Sequence, residues 1–403
     1  MTRRGTGAQG RRGTGAQTHG RTGVPAHRRT VWPCVGVALS VTVLAAGGCR
    51  SSSEPPVDVP AALPVLRGAD ISALERIEQA GGVFRDGGQA GDAIAILRAH
   101  GSNLFRLRLF VNPDHTEVQV NDLDYTVRMA TRIKAAGAKL LLDFHYSDTW
   151  ADPGHQTTPA AWASLGIDSL ERQVETYSAG VITRLKQAGA LPDIVQVGNE
   201  IDAGIFWPLG RVGGTDDTPL QWSQFTRLLK AGVRGVRSAL GSGDSVRIML
   251  HYSQGVSSGG TQWFFDHVVA SGVPFDLIGL SYYPWWHGPL GYLRDNLQAT
   301  ALRFGRDVMV VETAHPWRAG GWEDGATALA AMTWAISPQG QAQFLRDVLA
   351  AVATLPGGRG IGVVWWYPEA IQVPGLFVWG GGSLALFDAG GNVLPAAAAF
   401  GGN

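Results

Sequence analysis

From about Val65 to the C-terminus, short runs of β-branched and other apolar residues alternate with longer stretches in which apolar positions recur every three or four residues. The first pattern predicts strands and the second helices. Eight strands are expected, at Val65–Ile71, Asn103–Phe110, Lys139–His145, Ile194–Asn199, Val246–His251, Leu277–Tyr282, Asp307–Glu312 and Gly360–Trp366. Helical patterns lie between them at Asp92–His100, Tyr125–Ala136, Leu170–Ala188, Gln221–Leu240, Leu290–Phe304 and Gln341–Leu355, with Gly137 and Gly189 where C-terminal caps belong. Alternation of this kind makes an α/β protein with a parallel sheet, and eight repeats close into a (β/α)8 TIM barrel. An open doubly wound sheet is the competing architecture, but no G-x-G-x-x-G follows the first strand, which removes the support for a dinucleotide-binding version.

The pattern changes upstream. Residues 1–48 carry seven arginines, no lysine and no acid, followed within that stretch by an apolar run from Val31 to Gly48. This reads as an export signal. Leu44-Ala45-Ala46-Gly47-Gly48-Cys49 resembles a bacterial lipobox, in which the cysteine thiol takes a lipid, so Cys49 is the expected lipidation site. An uncleaved membrane anchor is the other reading, since the apolar run is close to the shortest length that spans a bilayer. Residues 49–64 form a Ser/Pro-rich tether, and residues 65–403 form a single catalytic domain. Both readings place that domain outside the cytoplasm, extracellular or periplasmic, touching a membrane only through its N-terminus.

The formal net charge of zero is a sum of unlike parts: without the leader, 26 basic residues face 33 acidic ones, a balance of −7. That sign gives no electrostatic reason to bind nucleic acid. A neutral substrate suits it, and nothing calls for an oligomer, so a monomer is expected. Beyond Cys49 there is no cysteine, which excludes disulfides, thiolate metal sites and a cysteine nucleophile in the domain.

The residues with chemical capability fall at or just after strand ends: Asp70, Arg108, His145, Asn199, Glu200, His251, Tyr282, Glu312 and Trp366. In a barrel those ends open on one face, where groups distant in sequence converge. Glu200 and Glu312 then form a carboxyl pair across the mouth. Retaining cleavage of a glycosidic bond needs such a pair, one to protonate the leaving oxygen and one to attack the sugar carbon, with environments that push their pKa values apart. Tryptophans at strand ends suit the C–H face of a sugar.

The chain resembles glycoside hydrolase family 53, the arabinogalactan endo-β-1,4-galactanases, within the large clan of retaining barrel glycosidases. The resemblance runs through Gly68-Ala69-Asp70-Ile71-Ser72, Asn103-Leu104-Phe105-Arg106-Leu107-Arg108, the block Asp143 to Gln156, Val195-Gln196-Val197-Gly198-Asn199-Glu200-Ile201 with Trp207-Pro208, His251, Ser281 to His287, Val311-Glu312-Thr313-Ala314 and Leu386-Phe387-Asp388. It implies Glu200 as acid/base and Glu312 as nucleophile, Asn199 on the sugar 2-hydroxyl, and Tyr282 and Arg108 holding Glu312 ionised. It also implies Asp70, His145, Asp148 and His251 along the subsites, Trp366 as the floor at the cleavage point, and Trp285 or Trp286 beside it. The family's Trp-Glu-Pro at strand eight is here Trp366-Tyr367-Pro368-Glu369, with the acid displaced. Bacterial members often carry calcium in a loop after strand seven; Glu323 and Asp324 are poor in alternating oxygen ligands, so neither metal nor other cofactor is expected.

The implied function is endo-acting, retaining cleavage of β-1,4-galactosidic bonds in galactan or arabinogalactan I. Two readings compete with it: a retaining endo-glycanase of the same clan acting on mannan, xylan or β-glucan, and a surface lipoprotein that binds polysaccharide without cutting it.

Overall fold

The computed structural model describes residues 63–322 and 328–402. The leader, the lipobox cysteine Cys49, nearly all of the tether, and Glu323 and Asp324 lie outside the described residues.

Eight parallel strands close into a barrel: β1 (Leu66–Asp70), β2 (Leu104–Leu109), β3 (Lys139–Phe144), β4 (Ile194–Val197), β5 (Arg247–Tyr252), β6 (Leu277–Tyr282), β7 (Asp307–Thr313) and β8 (Gly360–Trp366). Each strand pairs with its neighbour in sequence, and β8 returns to β1 with Leu66 opposite Gly362 and Asp70 opposite Trp366. The TIM barrel expected from the alternation is therefore the fold. Seven crossover helices surround it: α1 (Ala93–Ala99), α2 (Leu123–Ala135), α3 (Ile167–Gln187), α4 (Pro219–Ser238), α5 (Ser258–Ala270), α6 (Leu290–Phe304) and α7 (Pro338–Ala353). Side chains that accept a backbone N–H in the first turn start α1 (Asp92), α2 (Asp122), α4 (Thr218), α5 (Ser257) and α7 (Ser337). The glycines foreseen as caps, Gly137 and Gly189, take φ of +71° and +70° just past α2 and α3.

Two features depart from the sequence pattern. Helix α5 was not expected, because its opening Ser258-Gly259-Gly260 reads as loop; its buried face of Phe264, Phe265 and Val268 holds it in place. After β8 the outer layer closes with a 3-10 helix, Pro395–Gly401, packed on α7. Its approach to the end of α1 is so close that a Cβ on Gly101 (φ +104°) would lie 2.4 Å from the Gly401 nitrogen.

Period-two alternation sorts the barrel interior into layers. Leu66, Leu104, Leu141, Ile194, Met249, Leu277, Met309 and Val364 fill the lower part as one apolar cluster. Two residues further along their strands come Arg106, Asp143, Gln196 and His251, and four further on come Asp70 and Ser281, all buried. An apolar plug thus carries a polar deck facing the C-terminal mouth. On β7 the alternation is broken: Leu280 pairs with Val310 but Ser281 with Glu312, so Val311 is an extra residue. The bulge lets Val311 join the plug while Glu312, directly after it, also turns inward, a re-aiming that bulges beside active sites commonly perform.

Candidate active site

At the mouth lies a cleft of about 620 Å³ bordered by His145, Asn199, Glu200, Tyr283, Glu312 and a set of indoles. Two residues before Glu200 stands Gly198, whose φ of +88° and crowding against Ile201 (a Cβ would sit 2.5 Å from its Cγ2) exclude other residues. Glu200 itself adopts the left-handed conformation at φ 45°, ψ 58°. For a non-glycine residue this costs about 1–3 kcal/mol and needs support from its surroundings. Gln156 supplies it: its buried amide donates to the backbone oxygens of Asn199 (2.8 Å) and Glu200 (3.2 Å), tying the loop after β3 to the end of β4.

The two carboxyls live in different company. Glu312 Oε1 is 2.8 Å from Arg106 Nη1, and its Oε2 accepts from the Tyr283 hydroxyl at 3.1 Å. The Glu200 carboxyl accepts from the Ser281 hydroxyl at 2.6 Å. Burial, and after it the charge of Glu312, push Glu200 well above the ordinary carboxylate range. Burial also raises Glu312, but Arg106 opposes it and the Tyr283 hydrogen bond helps, so it is lifted only to about 7. The last proton shared by the pair therefore resides on Glu200, and Glu312 ionises first.

Arg106 organises the deck. Its Nη1 also reaches Asp70 Oδ2 (2.9 Å), Nη2 reaches Asp143 Oδ2 and Asn199 Oδ1 (both 2.8 Å), and Nε donates to Gln196 Oε1 (3.2 Å). Asp143 is held below its usual range: burial works against its charge, but Arg106 and then His145 outweigh it. His145 accepts the Ala151 amide at Nδ1 (3.1 Å), so the ring proton is on Nε2, 3.0 Å from Asp143 Oδ2.

Of the residues expected here, Glu200, Glu312, His145, Asn199, Trp286 and Trp366 border the cleft. The others stand behind its wall. Asp70 bonds Ser72 and Arg106. His251 lies under Glu200, fully buried. Asp148 accepts the amides of Asn112 and Ala160, holding the loop after β3. Trp285 is fully buried beside Trp322 and Tyr283. The pair expected to hold Glu312 is also displaced: Arg108 stacks its guanidinium 4.3 Å from the Trp150 ring and contacts the Tyr367 hydroxyl, and Tyr282 donates to the Gly288 oxygen and packs on Phe344. Arg106 and Tyr283 occupy those places. Strand parity could have found Tyr283, two residues past Ser281, but Arg106 and Arg108 share a parity and differ only in depth along β2. Trp150, Trp379 and the exposed Phe377, not singled out in the sequence, also line the cleft. Trp366 stacks on Tyr367 (4.2 Å) and meets Trp379 edge-on (5.0 Å), and Trp379 lies 5.8 Å from Trp286.

A buried ion cluster thus lies under an aromatic groove, with one carboxyl clamped by a cation and the other pushed well above its ordinary range by burial. Residues 66–400 match the family model for glycosyl hydrolase family 53. The chain belongs to that family. A protein of Niallia circulans, named only as an uncharacterized protein in the bgaB 5′ region, is 41% identical over 342 residues, covering 82% of this chain and 91% of the relative. The "Probable arabinogalactan endo-beta-1,4-galactanase A" of Neosartorya fischeri is 38% identical over 316 residues, 76% of this chain and 84% of that one. Among solved structures, the Ignisphaera aggregans GH53 catalytic domain superposes with a TM-score of 0.75 at 33% identity, covering 86% of this chain and 97% of the other. The family 53 member described here is thus a glycoside hydrolase.

Proposed function

We propose that this protein is an arabinogalactan endo-β-1,4-galactanase that cleaves internal β-1,4-galactosidic bonds with retention, Glu312 being the nucleophile and Glu200 the acid/base. The observation that carries the assignment of roles is the asymmetry of the carboxyls: Arg106 and Tyr283 hold Glu312, while among the described residues Ser281 is the partner hydrogen-bonded to the Glu200 carboxyl. The galactanase name of the Neosartorya fischeri relative supports the choice of substrate.

In the first step Glu312 Oε attacks the anomeric carbon as the bond to the leaving oxygen breaks, and Glu200 gives its proton to that oxygen. The product is a galactosyl ester of Glu312. Loss of the negative charge of Glu312 removes the main neighbouring charge that raised Glu200, so the Glu200 carboxylate can take a proton from water as water attacks the same carbon. Asn199, fixed by Arg106 at Oδ1 and donating from Nδ2 to the Ala151 oxygen, stands beside Glu200 for the 2-hydroxyl. Trp366, Trp286, Trp379 and Trp150 offer stacking faces for several residues of a chain, which suits endo action.

Digestion of linear β-1,4-galactan tests this reading. Oligosaccharides released from within the chain, with β-anomers appearing first by NMR, are expected; activity on mannan, xylan or β-glucan but none on galactan would overturn it. We further propose that the enzyme acts as an exported monomer tethered through lipidated Cys49, the cysteine of the lipobox-like Leu44-Ala45-Ala46-Gly47-Gly48-Cys49. Labelling with a fatty-acid analogue that Cys49→Ser abolishes would support the tether.

A further inference from the structure

Behind Glu200 a closed loop of hydrogen bonds returns from its backbone to its own side chain. The Glu200 amide donates to His251 Nδ1 (3.3 Å), His251 Nε2 is 2.8 Å from Ser281 Oγ, and Ser281 Oγ is 2.6 Å from Glu200 Oε1. The direction of the protons can be read from the partners. Nδ1 faces the Glu200 amide, a backbone N–H that can only donate. The acceptor near it, Asn199 Oδ1 (3.1 Å), already accepts from Arg106 Nη2 at 2.8 Å. The ring is fully buried, and burial together with Arg106 pushes it well below its ordinary pKa, so it is neutral. A neutral ring with a bare Nδ1 carries its proton on Nε2 and gives it to Ser281 Oγ. The single hydroxyl proton of Ser281 is then left for Glu200 Oε1.

Resting on the reading of Glu200 as acid/base, we propose that Ser281 and His251 are positioning residues that keep Glu200 Oε1 permanently occupied by a donor. The proton of the acid is thereby confined to Oε2, the oxygen that serves the leaving group and later the water. The left-handed turn at Glu200 is part of the device, because it lets the residue's own amide fix the histidine that orients the serine. The same donor favours the ionised carboxyl, tempering the rise that burial and neighbouring charge produce. The groups facing Glu200 are Glu312 from β7, Asp202 in the turn that follows it, Asp152 from the loop after β3, Tyr283 after β6 and the neutral His251 of β5. Among them Ser281 supplies the hydrogen bond to the carboxyl.

Substrate-free titration by 13C NMR of the labelled glutamate carboxyls tests this directly, with Glu200→Gln identifying the resonance. In Ser281→Ala the titration of Glu200 is expected to move up by about one pH unit, the size of one hydrogen bond to a charged group. Ser281→Thr, which keeps the hydroxyl, should return it towards the wild-type position. The alkaline limb of kcat/KM should shift in the same way while the acid limb stays. Should Ser281→Ala not fold, Ser281→Cys, of similar size and a weaker donor, should shift in the same direction by less. An unmoved Glu200 titration in either variant, or activity lost equally at all pH values with Thr giving no rescue, would overturn the proposal. Because the NMR titration needs no substrate, failure of the wild type to cut galactan would remove the assigned function and still leave this test decisive.

Discussion

Arg106 Nη1 sits 2.8 Å from Glu312 Oε1, and the same guanidinium also touches Asp70 and Asp143. One fully buried cation therefore serves three carboxyls at the heart of the barrel and offsets only part of their charge. Replacing it with Met leaves those charges uncompensated, which is expected to cost about 3–5 kcal/mol of stability. Arg106→Lys keeps a charge but loses the fork that reaches several acceptors at once. It is expected to fold, with a depressed melting temperature and the acid limb of kcat/KM moved upwards, because Glu312 ionises less readily. A Lys variant with unchanged pH profile would show that Arg106 does not control Glu312.

Two neighbouring tyrosines should behave oppositely. Tyr283→Phe removes the hydroxyl bond to Glu312, and kcat/KM should fall roughly 10- to 100-fold, the worth of about 1.5–3 kcal/mol for a hydrogen bond to a charged group. Tyr282→Phe removes only a bond to the Gly288 oxygen, with an expected cost of about 1 kcal/mol in stability and little change in rate. Steady-state kinetics and thermal melts of the pair distinguish the two positions.

The carboxyls themselves should fail differently. Glu200→Ala is expected to lose roughly 10²- to 10⁴-fold on galactan, the usual contribution of a general acid, and far less at the first step on an aryl galactoside whose leaving group needs no proton. Glu312→Ala should abolish hydrolysis of both while galactan binding stays measurable by calorimetry. Equal losses on both substrates in Glu200→Ala would contradict the roles assigned here.

Glu369, the acid displaced from its usual place after strand eight, is buried, accepts the Ala73 amide, and is pushed up to about 8 by burial and by the charge of Asp70. In the folded protein it keeps its proton to about pH 8, whereas the unfolded chain releases it near 4.5. The native state thus binds more protons across that window, so this group makes stability fall as pH rises from about 4.5 to 8. Glu369→Gln imitates the protonated form. Its melting temperature should match wild type near pH 4 and exceed it by a few degrees at pH 8; a constant difference across that range would mean the residue does not titrate there.

The alternation of apolar runs and helical periods was enough for the barrel, because burying one side of each strand and one stripe of each helix leaves few other arrangements. The strand ends were legible to within a residue or two, and with them Glu200, Glu312, His145, Asn199 and Trp366 at one mouth. What the sequence left undecided was which member of each adjacent pair faces inward. Tyr283 rather than Tyr282 holds Glu312 and Trp286 rather than Trp285 reaches the cleft, while Arg106 and Arg108, two places apart on the same side of β2, differ in depth, and it is Arg106 that clamps Glu312. A strand reverses its side chains at every residue, so at the end of β6 an uncertainty of one position exchanges Tyr282 for Tyr283. On β7 an extra residue shifts the alternation itself, and only the pairing with β6 reveals it. The polar deck is likewise a tertiary product: Asp70, Arg106, Asp143 and Glu312 come from four strands, and no local pattern announces that one guanidinium will hold three acids until the barrel closes around them.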